Sequence, residues 1–160
     1  MPPQKRITKE MILEKAFFIT QTEGYESITV RSLACELSCS TQPIYQEFKD
    51  MSDLKVAIMQ KTCEYMANFI TQNRDKSLSS DLANIIAYIQ FANAEKRLFQ
   101  LIFTSRDGLQ MMQYCLDISS FNINMIIYAN GIIMMNAYKT LDIPFEEMKK
   151  MIIKAYEVFK

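Results

Sequence analysis

Histidine and tryptophan are both absent from this 160-residue chain. Without histidine there is no Ser-His-Asp arrangement, no Cys-His nucleophile pair and no His-Glu-x-x-His zinc motif. Breakers are scarce: 3 glycines and 4 prolines are too few for the many turns of an all-β sandwich, so the chain is expected to be helical. Of the 4 cysteines, Cys35 and Cys39 lie one helical turn apart, but no second pair and no histidine completes a metal site. The four (with Cys63 and Cys115) read as small hydrophobes buried in a reducing cytosol; nothing supports a redox-sensing thiol at Cys39. Charge of one sign is also missing. Lys plus Arg is 18 and Asp plus Glu is 18, so no overall basic field draws the chain to nucleic acid or membrane. The opening Met-Pro-Pro-Gln-Lys-Arg leads into no apolar signal core, and a cytoplasmic protein is expected. No Gly-rich phosphate loop and no paired carboxylates in an apolar setting are present. An enzyme is therefore not expected, and no metal or cofactor is implied.

What is present is 49% hydrophobic residues against 22% charged, a globular balance. Residues 118–138 carry no charge, long enough to cross a bilayer. Ser119, Ser120, Asn122, Asn124, Asn130 and Asn136 would be costly against lipid, so burial between helices or in a subunit interface is the better reading. Thr8 caps a first helix, with Ile12, Ala16 and Ile19 at helical spacing and Gly24 as its stop. Thr29 caps a second, striped by Val30, Leu33, Ala34 and Leu37. After Ser38-Cys39-Ser40, Ser40 can cap a third over 41–48. Pro43 falls in its first turn, Ile44 and Phe48 point inward, and Thr41, Gln42, Tyr45 and Gln46 are left outside. Asp50 or Ser52 opens a fourth to about Asn73, and a polar loop covers 74–80. A fifth helix over 81–94 and a sixth over 95–103 come next. Gly108 marks a boundary, and a long seventh reaches about Lys139, with a break expected near Ser119-Ser120. An eighth opens at Pro144 with Phe145, Met148, Ile152, Tyr156 and Phe159 on one stripe.

The second and third helices, joined by a turn of small residues, form a helix-turn-helix pattern. Residues 1–50 hold six basic (Lys5, Arg6, Lys9, Lys15, Arg31, Lys49) and seven acidic residues, yet Leu37 to Gln46 carries no charge. The stretch ILEKAFFITQTEGYESITVRSLACELSCSTQPIYQEF followed by KDMSDL resembles the DNA-binding domain of the TetR/AcrR family of transcriptional regulators. The matching residues are Ile12-Leu13, Ala16-Phe17, Gly24-Tyr25, Thr29-Val30-Arg31, Leu33-Ala34, Ser40, Ile44-Tyr45, Phe48 and Leu54, in order and without a gap. Two positions depart from the family. Ser38 stands where glycine is common, which suggests an altered or strained turn. Met51 stands where lysine is common, so a phosphate there would lose a charge and keep a backbone N–H.

The resemblance implies an all-α protein. Residues 6–52 would be a three-helix helix-turn-helix DNA-binding domain (motif 29–48), and 53–160 a helical effector-binding and dimerisation domain. It implies a homodimer reading a roughly palindromic double-stranded operator. By position Thr41, Gln42, Ile44, Tyr45 and Gln46 fall in the reading helix. Gln42 suits a bidentate contact to adenine, and Tyr45, Thr29 and Ser40 suit phosphates. Lys5 and Arg6 suit an arm reaching the backbone or minor groove. The dimer would form through about 118–138 and 144–159, as a four-helix bundle between subunits. A small apolar effector would sit among Tyr65, Phe69, Tyr88, Phe91, Phe99, Phe103, Met111 and Met112, residues that equally suit plain core. The later segments AEKRLFQLIF and IIYANGIIMM faintly resemble one family subtype with His-Gly where Asn130-Gly131 stands here. The expected function is a ligand-responsive repressor. The alternative is a helical dimeric interaction module that keeps the fold without binding an operator, which the neutral charge and Met51 favour.

Overall fold

The computed structural model describes residues 6–115, 122–137 and 142–159, with the side chains of Tyr114 and Cys115 set aside. Among the described residues there are nine α-helices and no strand. Helix α1 (Lys9–Glu23) starts where Thr8 Oγ1 accepts from Met11 N and stops at Gly24. The latter residue has φ 96°, and its N–H donates to the carbonyls of Ile19 and Thr20. Glycine reaches that left-handed region without a Cβ penalty, and so ends the helix sharply. A single 3-10 turn, Tyr25–Ser27, leads to α2 (Val30–Glu36). That short helix owes its start to a reciprocal cap in which Thr29 accepts from Ser32 N and Ser32 Oγ accepts from Thr29 N.

Helix α3 (Gln42–Glu47) has Pro43 in its first turn and no side-chain cap, so Ser40, expected as its cap, is exposed and makes no such bond. The turn before it holds Ser38 at φ 51°, the strain expected where glycine is usual. Helix α4 (Met51–Asn73) begins where Asp50 accepts from Asp53 N at 2.9 Å.

Helices α5 (Ser80–Ala94), α6 (Lys96–Phe103), α7 (Arg106–Cys115), α8 (Ile123–Ala137) and α9 (Phe145–Phe159) complete the chain. The expected seventh helix covers α7 and α8, and the break expected near Ser119-Ser120 lies outside the described residues. One expectation is corrected here. Gly108 is not a boundary but sits in the first turn of α7, whose start is marked by Ser105 Oγ accepting from Gly108 N at 3.1 Å. A Cβ at Gly108 would lie 2.3 Å from the Ile102 carbonyl oxygen, so glycine there serves the close approach of α7 to α6.

Two apolar cores lie along α4. The N-terminal one joins Ile12, Ala16 and Ile19 of α1 to Leu33 and Ala34 of α2 and to Ile44 and Phe48. It continues past residue 52 with Leu54, Ile58 and Met59 of α4 and Leu101 of α6. The second takes Cys63, Met66 and Ile70 from the other half of α4 and is centred on α5. Helix α5 is apolar nearly all round (Leu82, Ile85, Ile86, Tyr88, Ile89 and Phe91 are buried), as a helix enclosed by neighbours must be. It packs against α4, α6, α8 and α9. The cysteines are not uniformly buried as expected. Cys63 is, but Cys35 is exposed on α2 and Cys39 is half-buried, because the buried face of α2 belongs to Leu33 and Ala34.

Candidate nucleic-acid interface and effector cavity

The N-terminal head presents one uncharged face. Gln42, Tyr45 and Gln46 are exposed on α3, Tyr45 at 59%. Thr41 is half-buried at the foot of the helix, Ser40 just before it is exposed, and Thr29 is exposed at the start of α2. The Thr29 hydroxyl is engaged, accepting from Ser32 N at 3.0 Å. Arg6 is exposed, and Lys5 lies outside the described residues.

Ile44 is a correction. Placed in the reading helix by position, it is 2% exposed and belongs to the N-terminal core. The six-residue helix turns Ile44 and Phe48, four apart, to the same side, and the surface is left to Gln42, Tyr45 and Gln46.

Among the cations of the N-terminal head, Arg31 and Lys49 are exposed, Lys9 Nζ lies 5.0 Å from the Phe48 ring centroid, and Lys55 Nζ 4.7 Å from that of Tyr25. Tyr25 Oη donates to the Met51 carbonyl at 3.4 Å, tying the end of α1 to the start of α4. Burial pushes the Tyr25 phenol up, with Glu26 adding to it, so the hydroxyl stays a donor.

The eight residues expected to line an effector pocket lie in or against the C-terminal core. Phe69 and Tyr65 meet Phe91 at centroid distances of 5.5 and 6.2 Å. Tyr88 is buried and donates to Asn130 Oδ1 at 2.7 Å; burial raises its pKa strongly. Met112 is buried and Met111 half-buried against both cores. Only Phe99 and Phe103 of the eight reach the cavity beside α6, where they stack at 4.1 Å with their planes 13° apart.

That cavity, about 430 Å³, lies between α5, α6, α8 and the start of α9. Ile89, Ala92, Ile133 and Met148 form its apolar wall; Asn93, Lys96, Gln100, Thr104, Asn136 and Asp142 form the polar one. The sequence held a signal for it: Asn93, Lys96 and Gln100 recur at i, i+3 and i+7, but the helix break at Glu95 hides that they share a side. Glu95 itself was missed. Its Oε1 accepts from Gln21 Nε2 of α1 and from Tyr65 Oη of α4, both at 2.9 Å. The Tyr65 phenol is raised by burial and then by this carboxylate.

Helix α8 buries Met125, Ala129, Ile132 and Ile133 and leaves an apolar opposite face, with Ile123 60%, Ile127 64%, Met134 38% and Met135 45% exposed. Val158 and Phe159 at the end of α9 are exposed too. No helix among the described residues is long and apolar enough to cross a membrane, and no group of three or more His, Cys, Asp or Glu among them is placed to hold a metal.

The sequence matches no family model and no curated protein. The fold is shared with a protein of unknown function from Rhodococcus sp. RHA1 at TM-score 0.70, over 99% of this chain and 97% of that one. The two are 17% identical, so the likeness is one of fold.

Proposed function

We propose that this chain is a TetR-like DNA-binding transcriptional regulator, a repressor that grips a palindromic operator as a homodimer and releases it when a small effector binds. The observation that carries the reading is the outer side of α3. Two amides and a phenol (Gln42, Gln46, Tyr45) stand exposed on a short helix held from behind by Ile44 and Phe48. Amides pair bidentately with adenine in the major groove, and a phenol hydroxyl reaches a phosphate. The exposed Arg31 and Lys49 would supply attraction to the phosphate backbone. The second chain docks on α8 and α9. An apolar stripe such as Ile123, Ile127, Met134 and Met135 is unusual on a monomer surface and marks an association site.

Gel-shift titration against the DNA upstream of the chain's own gene tests the reading. Gln42→Ala is expected to weaken operator binding by about 1–3 kcal/mol, the range for a lost base contact, and Tyr45→Ala, which removes a phosphate contact, to weaken binding about equally across sequences. If the wild-type chain shifts no such fragment at low salt, or if both variants bind as the wild type does, the alternative takes its place. In that alternative the fold is a helical dimeric interaction module without an operator.

A further inference from the structure

Helix α6 faces two ways. Leu101 is in the core of the N-terminal head, while Phe99, Gln100 and Phe103 line the cavity. Lys96, on the cavity wall, directly follows Glu95, whose carboxylate holds Gln21 and Tyr65.

The polar wall is rich in donors. Asn93, Lys96 and Gln100 make no side-chain hydrogen bond among the described residues. Asn136 Oδ1 is taken by Ile143 N at 2.8 Å, and its Nδ2 meets only the thioether of Met148 at 4.0 Å, a weak acceptor. Against this stands one carboxylate, Asp142. The stacked Phe99 and Phe103 add a flat apolar surface. A ligand matching both features has a planar ring and an anionic acceptor end.

We propose that this cavity is the effector seat and that it takes a planar aromatic carboxylate. The ring lies on the outer face of Phe103, which the buried Phe99 backs from the other side, and the carboxylate is met by Lys96 with the amides of Asn93 and Gln100. The apolar effector expected from the sequence thereby gains an anionic end, which Lys96 at the rim can meet without a buried charge. This deepens the regulator reading and rests on it for its consequence: a carboxylate drawn to Lys96 disturbs the adjoining Glu95 and its grip on α1 and α4.

The probe is 2-naphthoate, with neutral 2-naphthamide beside it. The chain has no tryptophan, so naphthyl fluorescence is read free of indole emission. One saturable site per chain is expected. Lys96→Met is expected to weaken 2-naphthoate about tenfold while changing 2-naphthamide less than about twofold, the signature of a charge-assisted contact. Ala92→Phe and Ile133→Phe, each filling the cavity, are expected to abolish both ligands, with thermal melts showing which variants fold. No saturable binding to the wild-type chain, equal loss of both ligands in Lys96→Met, or full binding in a folded cavity-filled variant overturns the proposal. These titrations contain no DNA, so their failure removes the seat and leaves the operator reading standing. A chain that binds naphthoate but no operator DNA refutes the regulator instead.

Discussion

Replacing Gly108 with alanine sets two physical effects of opposite sign against each other. Gly108 is helical in α7, and helix propensity alone favours alanine over glycine by up to about 1 kcal/mol. The geometry says the reverse. The new Cβ would stand 2.3 Å from the Ile102 carbonyl oxygen, 2.8 Å from its Cα and 2.9 Å from its carbonyl carbon. All three are backbone atoms near the end of α6, with no rotamer to swing away, so α7 must move off α6. Overpacking of this kind costs typically about 1–3 kcal/mol, enough to exceed the propensity gain. Gly108→Ala should therefore lower the melting temperature, by about 2–4 °C per net kcal/mol for a chain of this size, measured by circular dichroism at fixed protein concentration. Gly131 is the control. In the single chain a Cβ there meets nothing within 4 Å, so Gly131→Ala should gain up to about 1 kcal/mol from propensity. If Gly108→Ala raises the melting temperature as Gly131→Ala does, the close α6–α7 approach is wrong, and the cavity wall built on α6 is wrong with it.

Ser38→Gly relieves a left-handed backbone that costs a non-glycine residue roughly 1–2 kcal/mol, less the chain entropy of glycine; a net gain of about 0.5–1 kcal/mol in urea titrations is expected. Leu33→Ala empties a fully buried site in the head core and should cost about 2–5 kcal/mol; a smaller loss would mean that α2 is not packed as described. Ile127→Glu places a charge in the exposed α8 stripe; if the proposed dimer forms through that stripe, sedimentation should show the wild type as a dimer and the variant as a monomer with its far-ultraviolet spectrum kept, and a wild-type monomer or a variant dimer would refute it. Glu95→Gln keeps an oxygen acceptor but removes the charge, and should let the Tyr65 phenol ionise at lower pH, since that carboxylate helps to raise it; an unchanged ultraviolet pH titration would contradict the Glu95–Tyr65 contact.

Much of the fold was legible along the chain. Thr8, Thr29 and Asp50 each cap the helix they precede, and Gly24 ends α1 with the positive φ that favours glycine. The inward pair Ile44 and Phe48 could be told from spacing alone, and the family resemblance, taken by position, then put Ile44 on the wrong side. The pocket was harder. An aromatic residue at helical spacing looks the same whether it fills a core, as Phe91 does, or walls a cavity, as Phe103 does.

Local chemistry decided where helices begin and end, because a cap, a proline or a left-handed residue acts on neighbours within a turn or two of itself. The amino-acid order alone therefore determined a helical chain with a short α3 near its start, uncharged as far as Gln46. Only the assembled tertiary structure decided that Gly108 serves packing, that α6 shares one side with the N-terminal core and the other with a cavity, and that Glu95 joins α1 to α4. Each of those depends on side chains up to 74 positions apart meeting in space, as Gln21 meets Glu95, and no periodicity within a single helix encodes such a meeting.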